Sequence, residues 1–118
     1  MEKLTKERKL AREETYIKNL ILSNNKCYVD AFNFIHDHYL LDYLLGKSNY
    51  FSVFKAIYIE NITLPKWKLA QYCNVSRTTL FDYRKDIIRC FHTYINTHAS
   101  LDETALTIYN RDKFKILN

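Results

Sequence analysis

The sequence predicts an all-α fold of five or six helices. Three observations predict it. One glycine and one proline in 118 residues are too few turn makers for a hairpin-rich β-sandwich. Apolar residues recur at helical rather than alternating spacing. Short polar turns such as Ser23-Asn24-Asn25 separate the periodic segments.

The first helix is expected over 2–22. It opens on charged, strong helix formers and then carries Tyr16, Ile17, Leu20 and Ile21 as one apolar stripe. A second follows over 26–45. Tyr28, Phe32, Ile35, Tyr39 and Tyr43 share a face, and Gly46 supplies the positive φ wanted just past its end. Ser48 or Asn49 can cap a third helix over 50–60, with Phe51, Phe54, Ile57 and Tyr58 inward. Pro65 suits the first turn of a short helix over 65–73, because its missing N–H needs no partner there. Asn74-Val75-Ser76 makes a tight turn before a longer helix over 77–97. Ser100-Leu101-Asp102-Glu103 reads as a capping box that starts a last helix over 101–110. One domain is expected, with an N-terminal support or dimerisation region (1–49), a central region (50–97) and a C-terminal helix and tail (98–118).

The composition is 47% hydrophobic and 15% aromatic, too apolar for a disordered chain. Neither a GxGxxG nor a GxxxxGK[ST] phosphate loop can be written with one glycine. Three cysteines without a CxxC pair suggest neither a zinc ribbon nor a disulfide framework. The N-terminus lacks an apolar signal region, and no apolar run approaches a membrane span. A reducing bacterial or phage-infected cytoplasm is the expected compartment. The net charge of +5 is uneven: residues 1–26 carry +3, 27–65 carry −2 and 66–92 carry +4. Two basic segments are a candidate footprint for a polyanion.

Residues 66–85 have the grammar of a helix-turn-helix. Two closely crossing helices need a small residue at the crossing, and Ala70 supplies it. Four residues on, the turn needs tolerance of the left-handed conformation; asparagine ranks next after glycine, and Asn74 stands there. Val75 is the buried turn residue and Ser76 caps the next helix. Leu69, Cys73, Val75, Leu80 and Tyr83 form the inward face, with Tyr83 bulkier than the aliphatic usual there.

The exposed start of the second helix then offers Arg77, Thr78, Phe81, Asp82 and Lys85 to the major groove. Arg77 can donate twice to guanine, Thr78 can bond a base or pack on thymine, and Phe81 can meet a thymine methyl. Asp82 can accept from cytosine, or serve as the i→i+3 partner of Lys85. Lys66, Lys68, Arg84 and Arg89 are candidate phosphate contacts, as are Ser76 and Thr79 at the helix start. Trp67 can wedge against the third helix or lie on the backbone beside Lys66 and Lys68.

Residues 50–94 resemble the region-4-type helix-turn-helix of sigma factors. They are similar, more particularly, to small phage and prophage transcriptional regulators of the ArpU/RinA type from low-GC Gram-positive bacteria. The matching form is Ala70, then Val75-Ser76-Arg77-Thr78-Thr79-Leu80-Phe81-Asp82-Tyr83-Arg84-Lys85, then Ile88. The resemblance covers some 45 residues of the chain and implies activation of late phage genes.

Other sites carry less. His36-Asp37-His38 with Asp42 invites a metal reading, but i and i+2 point to different helix faces, so no metal or other cofactor is expected. Cys27, Cys73 and Cys90 read as small buried hydrophobes. Pairing of Cys90 with His92 or His98 has no supporting signature, and no catalytic residue is assigned. The expected function is sequence-specific binding of double-stranded DNA, with homodimerisation through the first two helices and RNA polymerase as a further candidate partner. The alternatives are a helical assembly protein that does not bind DNA, and a DNA-packaging or replication accessory factor.

Overall fold

The computed structural model describes residues 5–114, and the side chains of residues 5–98. Within them the chain is all-helical, in the order α1 (Lys6–Leu22), α2 (Lys26–Leu44), α3 (Tyr50–Phe54), α4 (Lys66–Cys73) and α5 (Arg77–Phe114). No helix among the described residues is long and apolar enough to cross a membrane.

The helix ends show how a chain with one glycine makes its corners. Gly46 closes α2 at φ 73°. Asn24, Asn61 and Asn74 take the same left-handed conformation at φ 62°, 53° and 61°. After α1, Asn25 N–H donates to the Leu20 carbonyl and Asn24 N–H to that of Ile21 (both 3.0 Å). After α4, Val75 N–H donates to Ala70 (2.9 Å) and Asn74 N–H to Gln71 (3.0 Å). These pairs of bonds are the Schellman closure, which satisfies carbonyls the helix leaves unpaired. At the starts, Thr5 caps α1 and Asn25 caps α2 through their side-chain oxygens. Pro65 sits at the N-cap of α4, one position before the expected first turn.

Three segments depart from expectation. The third helix does not stay α-helical to 60. It widens into a π turn over Lys55–Ile59, closed by Glu60 N–H on the Lys55 carbonyl (2.8 Å). The wide turn places Ala56, Ile57 and Tyr58, three consecutive residues, in the core, which a 3.6-residue turn does not readily do. Second, no separate helix begins at 101. The backbone of α5 runs through Ser100 without a break, so there is no helix start for a capping box to serve. No glycine or proline interrupts this stretch, and serine and aspartate inside a helix cost only fractions of a kcal/mol. Third, Tyr43 lies half-exposed beside Phe51 (5.9 Å between ring centroids) instead of in the core; Ile35 and Tyr39 are buried as expected.

α2 packs against α1, α3 and α5, while α4 and α1 both pack on α5. Phe54 and Phe91 are fully buried at the centre, and Ile17, Val53, Leu80 and Ile87 fill the space around them. Rings continue this core outward. Tyr39 stacks on Tyr50 (5.2 Å between centroids), and Tyr50 stacks on Tyr83 (4.0 Å). The bulk of Tyr83 is therefore accommodated at the α3–α5 seam, where it meets another ring instead of an aliphatic partner.

Candidate nucleic-acid interface

The α4–α5 unit is built as its residues dictate. Leu69, Ala70 and Cys73 are buried on α4 and Leu80 on α5, while Val75 and Tyr83 are half-buried. Asn74 turns the corner at φ 61°, ψ 44°. Ser76 Oγ accepts from Thr79 N–H (3.0 Å) and donates to Thr79 Oγ1 (2.9 Å), which caps the start of α5. Both hydroxyls are thus engaged with each other at the helix N-terminus. Burial pushes the Cys73 thiol up to about 11, so it stays a neutral, packed group.

From this corner Arg77 and Thr78 project into solvent. With Lys66 of α4 and Lys6 and Glu7 of α1 they line one cleft of about 400 Å³, walled on its apolar side by Phe81. Lys85 Nζ stands 5.0 Å from the Phe81 ring centroid and 3.8 Å from Asp82, so Asp82 does partner Lys85 at i→i+3. Trp67 is half-exposed with Lys68 Nζ 5.2 Å from its ring. It does not wedge into the core. Arg77, Thr78, Phe81 and Lys85 fall within about 100° of one another around α5, at 100° per residue.

Two assigned phosphate contacts are not brought to this surface. Arg84 is buried and gripped by α1. Its Nε donates to Glu14 Oε2 (2.9 Å), its Nη2 to Glu14 Oε1 (2.7 Å) and its Nη1 to Glu7. Burial alone would pull the guanidinium pKa down; the two carboxylates outweigh it and push it up. Arg84 is therefore a structural cation that fixes α1 to α5, and its assignment to phosphate is overturned. Arg89 is exposed but donates to Asp86 (2.7 Å). It lies twelve residues beyond Arg77, roughly 18 Å along the helix, away from the cleft.

The remaining sites settle simply. Cys27, in the first turn of α2, is exposed, not buried as expected. Cys73 is buried and Cys90 half-buried, 3.1 Å from the Tyr39 hydroxyl. His36 Nδ1 lies 3.0 Å from Asp37, and His38 Nε2 lies 3.6 Å from Asp42. Among the described residues no group of three or more His, Cys, Asp or Glu is arranged to hold a metal ion.

The Glu14–Arg84 pair was not anticipated, yet a signal existed. Glu14 falls on the stripe Leu10, Ile17, Ile21, and Arg84 on the stripe Leu80, Ile87, Ile88, Phe91. Each charge interrupts the apolar face of its own helix, and opposite charges at such positions can meet. Comparison with protein-family models, with characterised proteins and with solved structures finds no match to this chain.

Proposed function

We propose that the chain binds double-stranded DNA sequence-specifically through α4 and α5, as a transcription regulator of phage or mobile-element origin. The observation that carries this is the α4–Asn74–α5 corner. It joins a helix with a buried alanine to a second, capped helix whose exposed start bears Arg77 and Thr78. In this reading α5 enters the major groove by its first turns. Arg77, Thr78 and Phe81 meet base edges, with Asp82 and Lys85 beside them, while Lys66, Lys68, Ser76 and Thr79 hold the backbone. The phage role rests on the ArpU/RinA-type resemblance of residues 50–94, and through it RNA polymerase is a further partner.

The test is a duplex titration across a salt series. Binding that weakens steeply with salt and prefers one sequence over a scrambled duplex supports the reading, since each phosphate contact releases counterions. Salt-independent or absent duplex binding rejects it and favours the helical assembly protein. Specific binding to a site remote from any promoter favours the packaging or replication role.

A second observation extends the proposal to a homodimer. Phe34, Leu41 and Leu45 are exposed and share one face of α2, beside exposed Leu44; Tyr16 and Leu22 of α1 are exposed as well. Scattered exposed apolar residues are ordinary, but a stripe of them marks an interaction face. Pairing through α1 and α2 leaves both α5 starts free for half-sites about 34–36 Å apart. Light scattering at micromolar concentration checks it: a monomer, unchanged by Leu41→Glu, excludes the dimer.

A further inference from the structure

Three cations reach the same cleft from three separate helices. Lys6 is the first residue of α1, Lys66 the first of α4 and Arg77 the first of α5. Each has an exposed side chain, and none has an acidic partner among the described residues. The one acid in the cleft, Glu7, is already committed to Arg84. Cations that share one cleft reinforce one another's field and favour an anion there. Arg84 is what brings them together. By gripping Glu14 and Glu7 it sets the first turn of α1 against α5, and Lys6 precedes Glu7 directly.

We infer that Lys6 is a phosphate contact to duplex DNA, so that α1 is part of the interface. The inference rests on the duplex-binding reading above and adds to it a residue from outside the helix-turn-helix. Lys6 and Lys66 neutralise backbone phosphates at the rim of the groove that Arg77 enters. The positive ends of the three helices add to the same field. Arg12 and Lys6 lie on different faces of α1, and Arg12 opens instead on a shallow surface with Tyr16 and Asn19; it takes no part.

The experiment is a fluorescence-anisotropy titration of a labelled 20-base-pair duplex by the full chain, from 50 to 200 mM salt. Wild type is compared with Lys6→Ala, Lys6→Arg, Lys66→Ala and Arg12→Ala, with circular dichroism melting to confirm folding. Loss of one phosphate contact should reduce the affinity ratio between the two salt concentrations about 3.5-fold. Lys6→Ala and Lys66→Ala should each show this, whereas Lys6→Arg and Arg12→Ala should track wild type. If Lys6→Ala keeps the wild-type affinity and salt slope while Lys66→Ala loses both, the inference about α1 is overturned and the helix-turn-helix reading stands. Equal losses in Lys6→Ala and Arg12→Ala would reduce Lys6 to part of a diffuse field, which also overturns a specific contact. A wild-type chain that binds no duplex overturns both.

Discussion

Arg84 and Glu14, 70 residues apart in sequence, meet as a buried two-bond pair that joins the first helix to the last. The guanidinium and carboxylate are each more than nine-tenths buried, and Glu7 closes the remaining side of Arg84. Such a pair is worth little net stability, because desolvating both ions offsets their attraction. Removing one partner is costly, because it strands the other. Arg84→Ala should therefore destabilise the fold by about 3–5 kcal/mol, read as a shift in the urea midpoint. A triple variant, Arg84→Met with Glu14→Leu and Glu7→Gln, should recover most of the loss, because it leaves neither carboxylate stranded. A folded Arg84→Ala protein with an unchanged midpoint and weakened DNA binding would return Arg84 to a phosphate role.

Base and phosphate contacts should separate by mutation. Arg77→Ala is expected to weaken specific binding by about 1–3 kcal/mol and to flatten base preference. Lys68→Ala should weaken every duplex alike and lower the salt slope by about one. Competition between the preferred and scrambled duplexes measures the difference. Identical behaviour of the two variants across sequences would show that the roles are misassigned.

The corner residue offers a conformational test. Asn74 stands at φ 61°, so Asn74→Gly should be neutral or mildly stabilising. Asn74→Val should lose about 1–3 kcal/mol, since a β-branched side chain resists positive φ. Ala70 is 3% exposed at the crossing, and Ala70→Leu should cost about 1–3 kcal/mol or more by overpacking. Thermal melts of the three variants give the order. An Ala70→Leu protein as stable as wild type would remove the close crossing that the motif requires.

Alkaline pH should weaken the fold progressively. Burial raises the Cys73 thiol from 9.0 to about 11. The hydrogen bond to Asp86 (2.6 Å), helped by burial, raises the Tyr50 hydroxyl from 10.0 to about 12. Both groups hold their proton more tightly in the folded state. Their contribution is intact below the unfolded values and is lost as pH climbs to the folded ones. Stability should fall from pH 9 through Cys73 and more steeply above pH 10, where Tyr50 is joined by Tyr39 and Tyr58, whose hydroxyls burial also pushes up. Tyr50→Phe should make the fall between pH 10 and 12 shallower without removing it, as read from urea midpoints at pH 8, 10 and 12. A Tyr50→Phe curve parallel to wild type in that window would contradict the assignment.

Much of the fold was legible because apolar spacing reports helices directly, and α1, α2 and α4 begin or end within a few residues of expectation. The Asn74 corner was legible for a chemical reason: few residues tolerate its backbone, and asparagine is one of them. What the sequence hid is what depends on partners distant in the chain. Glu14 and Arg84 look like surface charges until their helices are laid side by side. Arg84 followed the pattern of a phosphate contact in a basic segment, and only the position of α1 removes it. Lys6 lies in a basic segment with no local sign of its place, since only the fold brings it into one cleft with Arg77. The unbroken α5 was misread because a local capping pattern at Ser100 was given more weight than the lack of any residue able to stop a helix.

An α-helix that takes in one surplus residue without unwinding becomes, for one turn, a π-helix. Lys55–Ile59 has that form, so the chain holds an internal spacer whose loss could be absorbed locally. Deleting the exposed Lys55 would let the turn close to ordinary α geometry. Residues downstream would then keep their register relative to α2, because the residue removed is the one that the wide turn takes up. Tyr58 would stay against Phe91, with the ring centroids 5.3 Å apart, and the linker would still bring Lys66 to the cleft it shares with Arg77. The wide turn is thus a reserve of slack between the aromatic core and the basic cleft, able to give up one residue without moving either.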